Sequence, residues 1–228
     1  MKKLGIAVLA IMFLSVAAAF AAPEISLRAG VDIAGNLGLD SKTTISGFPY
    51  PFDSLNGESK TDGNETASAG FNIGAEILFP IAGIVKVGGG FAYLPDREIG
   101  KEKIEGLDKK MTLNALPIYA TVQVSPFPIS SLYMKGNIGV SIMGIKNGLE
   151  ESLHQLNDSW DVTETFVGIY ASIGAGYEFP FGLFAELAYD IHSASSKNSL
   201  SVGSIQIEND TTYTYTKLGL TVGYKFKL

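Results

Sequence analysis

The sequence predicts an all-β protein, an eight-stranded antiparallel up-and-down transmembrane β-barrel, on three observations. Eight runs alternate between apolar and polar residues with the period of two that places neighbouring side chains on opposite faces of a strand. Short and long connections alternate between these runs. The 228 residues also include 26 glycines and no long apolar run in the body of the chain, which favours a barrel over a helical membrane protein.

The N-terminal segment has the composition of an export signal. Two lysines precede an apolar run over residues 4–16, and Ala19-Phe20-Ala21 is a small-x-small cleavage site. We therefore expect a cleaved signal peptide over residues 1–21 and one barrel domain over residues 22–228. The alternative is an uncleaved anchor, which the shortness of the apolar run disfavours.

Charge and cysteine content exclude some partners and chemistries. The net charge of −6 disfavours nucleic acid as a partner. Because the chain has no cysteine, it forms no disulfide, performs no thiol chemistry and carries no lipoprotein anchor.

The first four predicted strands cover residues 26–39, 68–79, 84–94 and 112–124. In the first strand the apolar, outward face comprises Leu27, Ala29, Val31, Ile33 and Leu37, and the inward face comprises Arg28, Gly30, Asp32, Ala34 and Asn36. The same alternation runs through the next three. Pro117 interrupts the fourth, because a proline cannot donate to the ladder and marks a bulge or an edge.

The last four predicted strands cover residues 132–145, 165–179, 183–192 and 217–228. The final strand is the most regular and could begin near Thr211. Its apolar face comprises Leu218, Leu220, Val222, Tyr224, Phe226 and Leu228, and its other face Lys217, Gly219, Thr221, Gly223, Lys225 and Lys227.

The connections define two ends of the barrel. Residues 80–83, 125–130 and 180–182 form short turns, whereas residues 40–67, 95–110, 146–164 and 193–210 are long and polar. Outer-membrane barrels have short periplasmic turns and long extracellular loops. An even strand number then places both termini in the periplasm.

A barrel in lipid explains the apolar face better than a soluble sheet does. Backbone groups in lipid must be paired within the protein, so a membrane sheet has to close on itself. Aromatic residues cluster at the ends of the strands, where amphipathic rings suit the lipid–water boundary. The alternative is a lipocalin-like soluble barrel, which would turn the apolar face inward.

The C-terminus resembles the assembly signal of bacterial outer-membrane barrels. A polar residue, a glycine and two apolar residues at spacing two are supplied by Thr221, Gly223, Phe226 and Leu228. Many family members end in Phe, and this chain departs from them by ending in Leu. The whole mature chain resembles the small eight-stranded OmpA, OmpX and OmpW-like barrels. The resemblance implies a Gram-negative outer membrane, with lipid, lipopolysaccharide and the barrel-assembly machinery as partners.

Seven inward charged residues lie near the predicted periplasmic end: Arg28, Glu76, Lys86, Lys135, Glu178, Glu186 and Lys225. Neighbouring strands would pair them as Arg28–Glu76–Lys86, Lys135–Glu178 and Glu186–Lys225, with Lys225 meeting Arg28 at the closing seam. Charges away from water need partners, and an eight-stranded barrel is only wide enough for its side chains. We interpret the ring as a salt-bridged plug. The alternative is a wet lumen with separately solvated side chains.

Candidate chemistry is sparse, and we predict no catalytic, cofactor-binding or metal-binding residue. His192 ends the seventh strand beside Ser193, which faces the other way, so we interpret it as a rim histidine in a serine-rich loop. Lipid A deacylase barrels carry His and Ser at spacing two, where this chain has Ala194. His154 has no second His or Cys nearby in its polar loop, which disfavours a transition-metal site.

The first long loop contains aromatic residues interleaved with prolines. Phe48, Tyr50 and Phe52 alternate with Pro49 and Pro51. Exposed aromatics of this kind could contact an extracellular partner or glycan, or could pack on the barrel rim.

The sequence therefore favours a barrel with a structural or surface-interaction role, in adhesion or membrane integrity. One alternative is a narrow conduit for small or hydrophobic solutes. A weaker alternative is a lipid-modifying enzyme.

We predict that the final strand is required for membrane insertion. Changing Phe226 and Leu228 to Ser should leave protease-sensitive protein in the periplasm, because these residues both complete the strand and resemble the assembly signal. Heat-modifiable mobility in gels and protease digestion measure this. A normally inserted, heat-modifiable double variant would contradict the prediction.

Overall fold

The computed structural model describes residues 22–48, 56–104, 107–126, 131–146, 164–202 and 204–228. The predicted signal peptide lies outside these residues. The strands are β1 (Glu24–Ser46), β2 (Gly57–Ala67), β3 (Phe71–Ala82), β4 (Val85–Ile104), β5 (Leu107–Val124), β6 (Leu132–Lys146), β7 (Glu164–Glu178), β8 (Leu183–Val202) and β9 (Ile205–Lys227). A 3₁₀ turn at Pro180–Gly182 joins β7 to β8. Among the described residues, no helix is long and apolar enough to cross a membrane.

The strands form one antiparallel sheet that closes on itself, which confirms the predicted fold class. The hydrogen-bonded order is β2-β1-β3-β4-β5-β6-β7-β8-β9, and β1 also pairs with β9. The closing ladder runs from the Glu24–Lys227 pair to the Ser46–Gln206 pair. This closure leaves no sheet edge through the apolar band, as lipid requires.

The nine strand segments form a ring of eight strands, because β2 and β3 occupy the same position beside β1. The pairs Gly35–Ala67 and Val31–Phe71 belong to the same register, so β2 and β3 act as one strand interrupted at residues 68–70. The eight-stranded prediction therefore describes the ring correctly.

Three of the predicted long loops are β-hairpins for most of their length, which corrects the sequence interpretation. β1 and β2 pair as far as Ile45–Gly57, β4 and β5 as far as Ile104–Leu107, and β8 and β9 as far as Val202–Ile205. These polar segments were predicted as loops because strands that leave the lipid no longer carry an apolar face. For the fourth loop, residues 147–163 lie outside the described residues.

The outward faces carry the apolar band that the alternation predicts. Ile138, Val167 and Ile169 are 66–67% exposed, as lipid-facing side chains are in an isolated barrel. Ring pairs lie at the end with the short turns, the short-turn end, with centroids 4.9 Å apart for Tyr177 and Phe179 and 4.7 Å apart for Tyr224 and Phe226. We call the opposite end the long-hairpin end.

A bulge in β1 reverses part of the predicted facing. The ladder with β9 skips one residue between Asp32 and Ala34, so Ile33 is extra. Leu37, predicted to face outward, is therefore buried, and Ala34 and Asn36, predicted to face inward, are exposed. An extra residue changes the parity of every residue beyond it.

Glycine allows the strands to approach closely at one point on β6. A Cβ added at Gly139 would collide with the Ile118 carbonyl oxygen and the Tyr119 backbone, whereas one added at Gly136 would meet no described atom within 4 Å.

We predict that Gly139→Ala destabilises the barrel by about 1–3 kcal/mol, the usual cost of overpacking, while Gly136→Ala is nearly neutral. Unfolding in urea from bilayers measures both. Equal midpoints for the two variants would show that β6 can shift to accept the methyl group.

Candidate functional site

The candidate site is the lumen, where charged side chains form two layers. The lower ionic layer lies near the short-turn end and comprises Glu24, Arg28, Glu76, Lys86, Lys135, Glu178, Glu186 and Lys225. Strand alternation places them inside, because each stands opposite to the lipid-facing residues of its strand.

The centre of the lower ionic layer is a closed four-member circuit. Arg28 pairs with Glu76, and its Nη2 lies 2.6 Å from Glu186 Oε1. Lys135 Nζ completes the circuit at 3.0 Å from Glu76 Oε1 and 2.7 Å from Glu186 Oε2. Each of the four side chains is less than 10% exposed, so each charge is balanced where water is scarce.

Two tyrosines complete the hydrogen bonds of the circuit. Tyr119 donates to Glu76 Oε1 at 2.8 Å, and Tyr133 donates to Glu186 Oε2 at 3.1 Å. The carboxylates therefore accept from neutral as well as charged donors, which offsets the loss of their hydration.

The rest of the lower layer lies closer to the short-turn end, where the side chains of Lys86 and Glu178 are 20% and 22% exposed. Lys86 Nζ is 2.7 Å from Glu24 Oε2 and 3.8 Å from Glu178 Oε2. Lys225 Nζ is 2.7 Å from the same Glu178 oxygen and lies over the Tyr133 ring, 4.7 Å from its centroid.

All seven residues of the predicted charge ring lie in this layer. The predicted Arg28–Glu76 pair is present, but the other partners differ from the predicted ones. Lys135 contacts Glu76 and Glu186 instead of Glu178, and Glu186 contacts Arg28 instead of Lys225. In so narrow a lumen long side chains reach across as well as to the next strand. Sequence reasoning missed Glu24. Glu24 lies two residues before Ser26 and four before Arg28, so the alternation along β1 would have placed it on the same inward face.

The upper ionic layer comprises Asp32, Arg97, Asp190 and Lys217. Lys217 Nζ lies 2.8 Å from Asp32 Oδ1 and 3.1 Å from Asp190 Oδ2, and Arg97 pairs with Asp32. Asn72 Nδ2 donates to Asp32 Oδ1 at 3.1 Å, and Arg97 Nη1 donates to the Tyr215 hydroxyl at 2.8 Å.

Arg97 was not predicted as a lumen residue because the sequence places it in a loop. A register shift between Leu94 and Arg97 lets β4 continue past Pro95 and turns Arg97 inward. Without that shift the parity of Leu94 would send Arg97 outward.

His192 is not a rim histidine, which corrects the sequence interpretation. It lies within β8, is fully buried, and its ring is 5.0 Å from that of Tyr170 and 5.6 Å from that of Tyr215. Ser141 Oγ on β6 lies 2.8 Å from His192 Nδ1. The strand continues past His192 because β8 and β9 stay paired beyond the apolar band.

The Ser141–His192 pair has a nucleophile and a base but, within the described ranges, no third member. Asp190 Oδ1 accepts from the Tyr170 hydroxyl at 3.2 Å, and its other oxygen faces Lys217. A Ser–His–acid set requires the acid to orient the histidine and a substrate to reach the serine. Ser141 and His192 are both 0% exposed.

A small polar cavity separates the two ionic layers. Its volume is about 20 Å³, room for about one water molecule, and Arg28, Glu186, Asp190 and Lys217 contribute to its lining. Two lining groups, His192 Nε2 and Asn137 Oδ1, have no hydrogen-bond partner among the described residues.

An apolar cluster fills the lumen towards the long-hairpin end. Its buried members are Leu37, Ala67, Leu94, Ile99, Leu113, Ala115, Met143, Ile145, Phe166, Ala194 and Tyr215. The charged half and the apolar half of the lumen therefore meet at the upper ionic layer, where Tyr215 belongs to the cluster and also accepts from Arg97.

The remaining predicted residues lie away from the lumen network or outside the described part. On β9, Thr221 is buried inside the barrel while Phe226 and Leu228 face outward at 46% and 68% exposure. Phe48 donates its backbone N–H to Asn56 Oδ1 at 3.0 Å. The described residues do not include Tyr50, Phe52, the signal segment, or residues 147–163 with His154. The described residues contain no cluster of three or more metal-ligating side chains.

Solved structures with similar folds are outer-membrane barrels. The outer membrane protein OprG of Pseudomonas aeruginosa is 16% identical, with 92% of this chain and 98% of that chain covered and a TM-score of 0.50. Ail of Yersinia pestis, solved with the heparin analogue sucrose octasulfate, is 13% identical, with 90% and 99% covered and a TM-score of 0.43. The outer membrane protease OmpT of Escherichia coli is 11% identical, with 89% and 97% covered and a TM-score of 0.38. At these identities the likeness concerns the fold alone.

The sequence itself matches one family over nearly its whole length. None of the curated protein sequences compared with it matches at a significant level. The profile of the outer membrane protein beta-barrel domain matches residues 6–226. That span contains every strand except the last residue of β9, and the chain therefore belongs to the outer membrane protein beta-barrel domain family.

Proposed function

We propose that this outer-membrane barrel is closed to solutes and acts through its surfaces, in membrane integrity or in contact with the cell's surroundings. The observation that carries the proposal is the stacking of two neutral ionic layers beneath an apolar cluster. In this proposal the long-hairpin end of the barrel faces the outside and both termini face the periplasm, as in other barrels with short turns at one end and long connections at the other.

Charge balance supports a closed lumen. The lower ionic layer holds four cationic and four anionic side chains, and the upper ionic layer holds two of each. A neutral lumen has no net field to concentrate ions of either sign. An ion on its way through would have to replace salt bridges and then cross the apolar cluster without its water.

The outer surface supplies the partners in this proposal. Membrane lipid and lipopolysaccharide surround the apolar band, and the barrel-assembly machinery recognises Thr221, Gly223, Phe226 and Leu228. An extracellular ligand contacts the segment that joins β1 to β2 in the sequence, through Phe48, Tyr50 and Phe52. We assign no catalytic role to the Ser141–His192 pair, because both side chains are fully buried.

One observation favours a second function, a conduit for hydrophobic solutes. The apolar cluster lies beside a place where two strands of the barrel are joined by little pairing. Among the described residues, β2 and β4 pair only at Ala67–Ile99. A hydrophobic solute could displace apolar side chains there. Binding of a fluorescent apolar probe, quenched by competing hydrocarbon, would favour this function over the closed barrel.

We predict no steady single-channel conductance for the wild-type protein in planar bilayers, because both ionic layers and the apolar cluster interrupt the water path. Single-channel recordings from many reconstituted barrels provide the measurement. Stable, large open channels would reject the closed-lumen proposal.

We predict that Glu186→Gln destabilises the barrel by about 3–5 kcal/mol, the usual result of removing one partner of a buried ion pair. The change leaves Arg28 and Lys135 with one carboxylate between them. Residual water in the lumen would lower the figure.

The matched control is Glu208→Gln, on the exposed part of β9, where the carboxylate forms no ion pair among the described residues. Its effect should stay within about 0.5 kcal/mol. Urea unfolding from bilayers gives the free energy of unfolding of the two variants. Equal values would mean that the four-member circuit does not stabilise the folded barrel.

A further inference from the structure

We propose that the short-turn end inserts the apolar tips of its turns into the surrounding phospholipid leaflet, at the boundary between headgroups and acyl chains. This surface, which we call the turn rim, comprises Ile81 and Ile84 between β3 and β4, Phe181 between β7 and β8, and Phe226 and Leu228 at the end of the final strand. The turn rim lies outside the lumen, so its role is the same in a closed and in a conducting barrel.

Phe181 is the strongest sign of a contact outside the chain. Its φ of 73° and ψ of 8° are those of the third residue of a type II turn, a position that favours Gly or Asn. For a bulky residue this left-handed conformation carries a steric cost. The barrel itself offers the ring little in return, because the side chain is 88% exposed. A strained and exposed aromatic residue at a turn tip therefore points to an external partner.

The connection between β3 and β4 has a similar composition. Phe79-Pro80-Ile81 in this connection resembles Phe179-Pro180-Phe181 in the other, and Ile81 is 43% exposed. Tight turns usually combine Gly and Pro with Asn, Asp or Ser. Neither residues 80–84 nor residues 180–182 include any of these three polar residues. Both connections therefore present apolar tips where a turn in water would present polar ones.

The turn rim is distributed around the whole ring. On one side β4, β5, β6 and β7 lie between the two connections, and on the other side β8, β9, β1 and β3 do, so the connections are on opposite sides of the barrel. Phe226 and Leu228 lie halfway between them, where β9 pairs with β1. A single protein partner would cover one side of such a rim, whereas a lipid leaflet surrounds it on every side.

The turn rim also continues the lipid-facing band without a polar gap. Phe179 and Leu183, two residues before and two residues after Phe181, are both exposed on the outward face of their strands. Along β9 the apolar outward residues run as far as Phe226 and Leu228. A surface that is continuous with the lipid-facing band has the same partner as the band, which is lipid.

The residues of the turn rim suit the boundary between headgroups and acyl chains. Aromatic rings favour this depth, and the two ring pairs at the short-turn end lie beside the turn rim. Lys227 is exposed between Phe226 and Leu228, and a long cationic side chain beside apolar residues extends its charge towards water and lipid phosphates. These features favour phospholipid with its headgroup over hydrocarbon alone.

Tryptophan fluorescence measures the depth of the turn rim. Trp160 is the one tryptophan of the chain, so Trp160→Phe provides a background in which each test variant carries a single indole. Phe181→Trp is the test variant. Ile138→Trp, in the apolar band, is the lipid reference, and Ser199→Trp, on the exposed part of β8, is the water reference. The full chain is reconstituted in phosphatidylcholine vesicles that are brominated either near the headgroup or near the chain ends, with iodide on both sides of the bilayer.

We expect the indole of Phe181→Trp to be quenched more by bromine near the headgroup than by bromine near the chain ends, and to be shielded from iodide. The indole of Ile138→Trp should be quenched by bromine in the acyl chains, and that of Ser199→Trp by iodide alone. If iodide quenches Phe181→Trp as strongly as Ser199→Trp and neither bromine has an effect, the proposal is overturned, and the exposed ring is then available to a protein partner.

Phe181→Ala tests whether the leaflet stabilises the ring. Alanine keeps a Cβ and so keeps the steric cost of the left-handed conformation, while the ring is lost. The urea midpoint of unfolding from phospholipid bilayers should therefore fall, because an aromatic ring has left the lipid boundary. Ser199→Ala is the matched control and should leave the midpoint unchanged. An unchanged midpoint for Phe181→Ala would show that the ring gains nothing from the leaflet and would count against the proposal.

Discussion

Closure of β1 on β9 is the constraint on which the rest of the structure depends. Lipid offers no hydrogen bonds to the backbone, so the ladder from Glu24–Lys227 upward has to seal the sheet into a ring. A ring of eight strands has an interior that is only wide enough for the inward side chains to fill. Inward side chains such as Arg28 and Lys135 then touch residues from several other strands, and the chemistry of the lumen follows from that crowding.

Crowding explains why the lumen is layered. The circuit of Arg28, Glu76, Lys135 and Glu186 is stable only because each charge has an opposite partner within reach. In the upper ionic layer, Lys217 pairs with Asp32 and Asp190, and Arg97 pairs with Asp32, so the net charge of that layer is zero. Apolar residues can fill the outer half because no charge is left to be hydrated there. If the lumen is closed as proposed, the outer surface is the part of the molecule that meets other molecules.

The sequence predicts the barrel well because lipid imposes a period-two pattern that is easy to recognise. The strands within the apolar band, their outward residues and the seven lower charges could all be read from that alternation. What could not be read depends on single-residue changes of register. Leu37 and Arg97 lie beyond bulges that reverse parity, and a bulge leaves no compositional mark that distinguishes it from a regular strand. His192 and Ser141 meet across strands that are distant in sequence, and the long hairpins lack the apolar face that identifies a strand.

The circuit in the lower ionic layer has a consequence for how the protein reaches its membrane. Its contacts join residues far apart in the chain, since Arg28 and Glu186 are separated by 158 positions. A half-built sheet that entered lipid would present these side chains to hydrocarbon without their partners. Partial insertion is therefore unfavourable, and the buried charges favour a route in which the first and last strands pair while the sheet enters the bilayer.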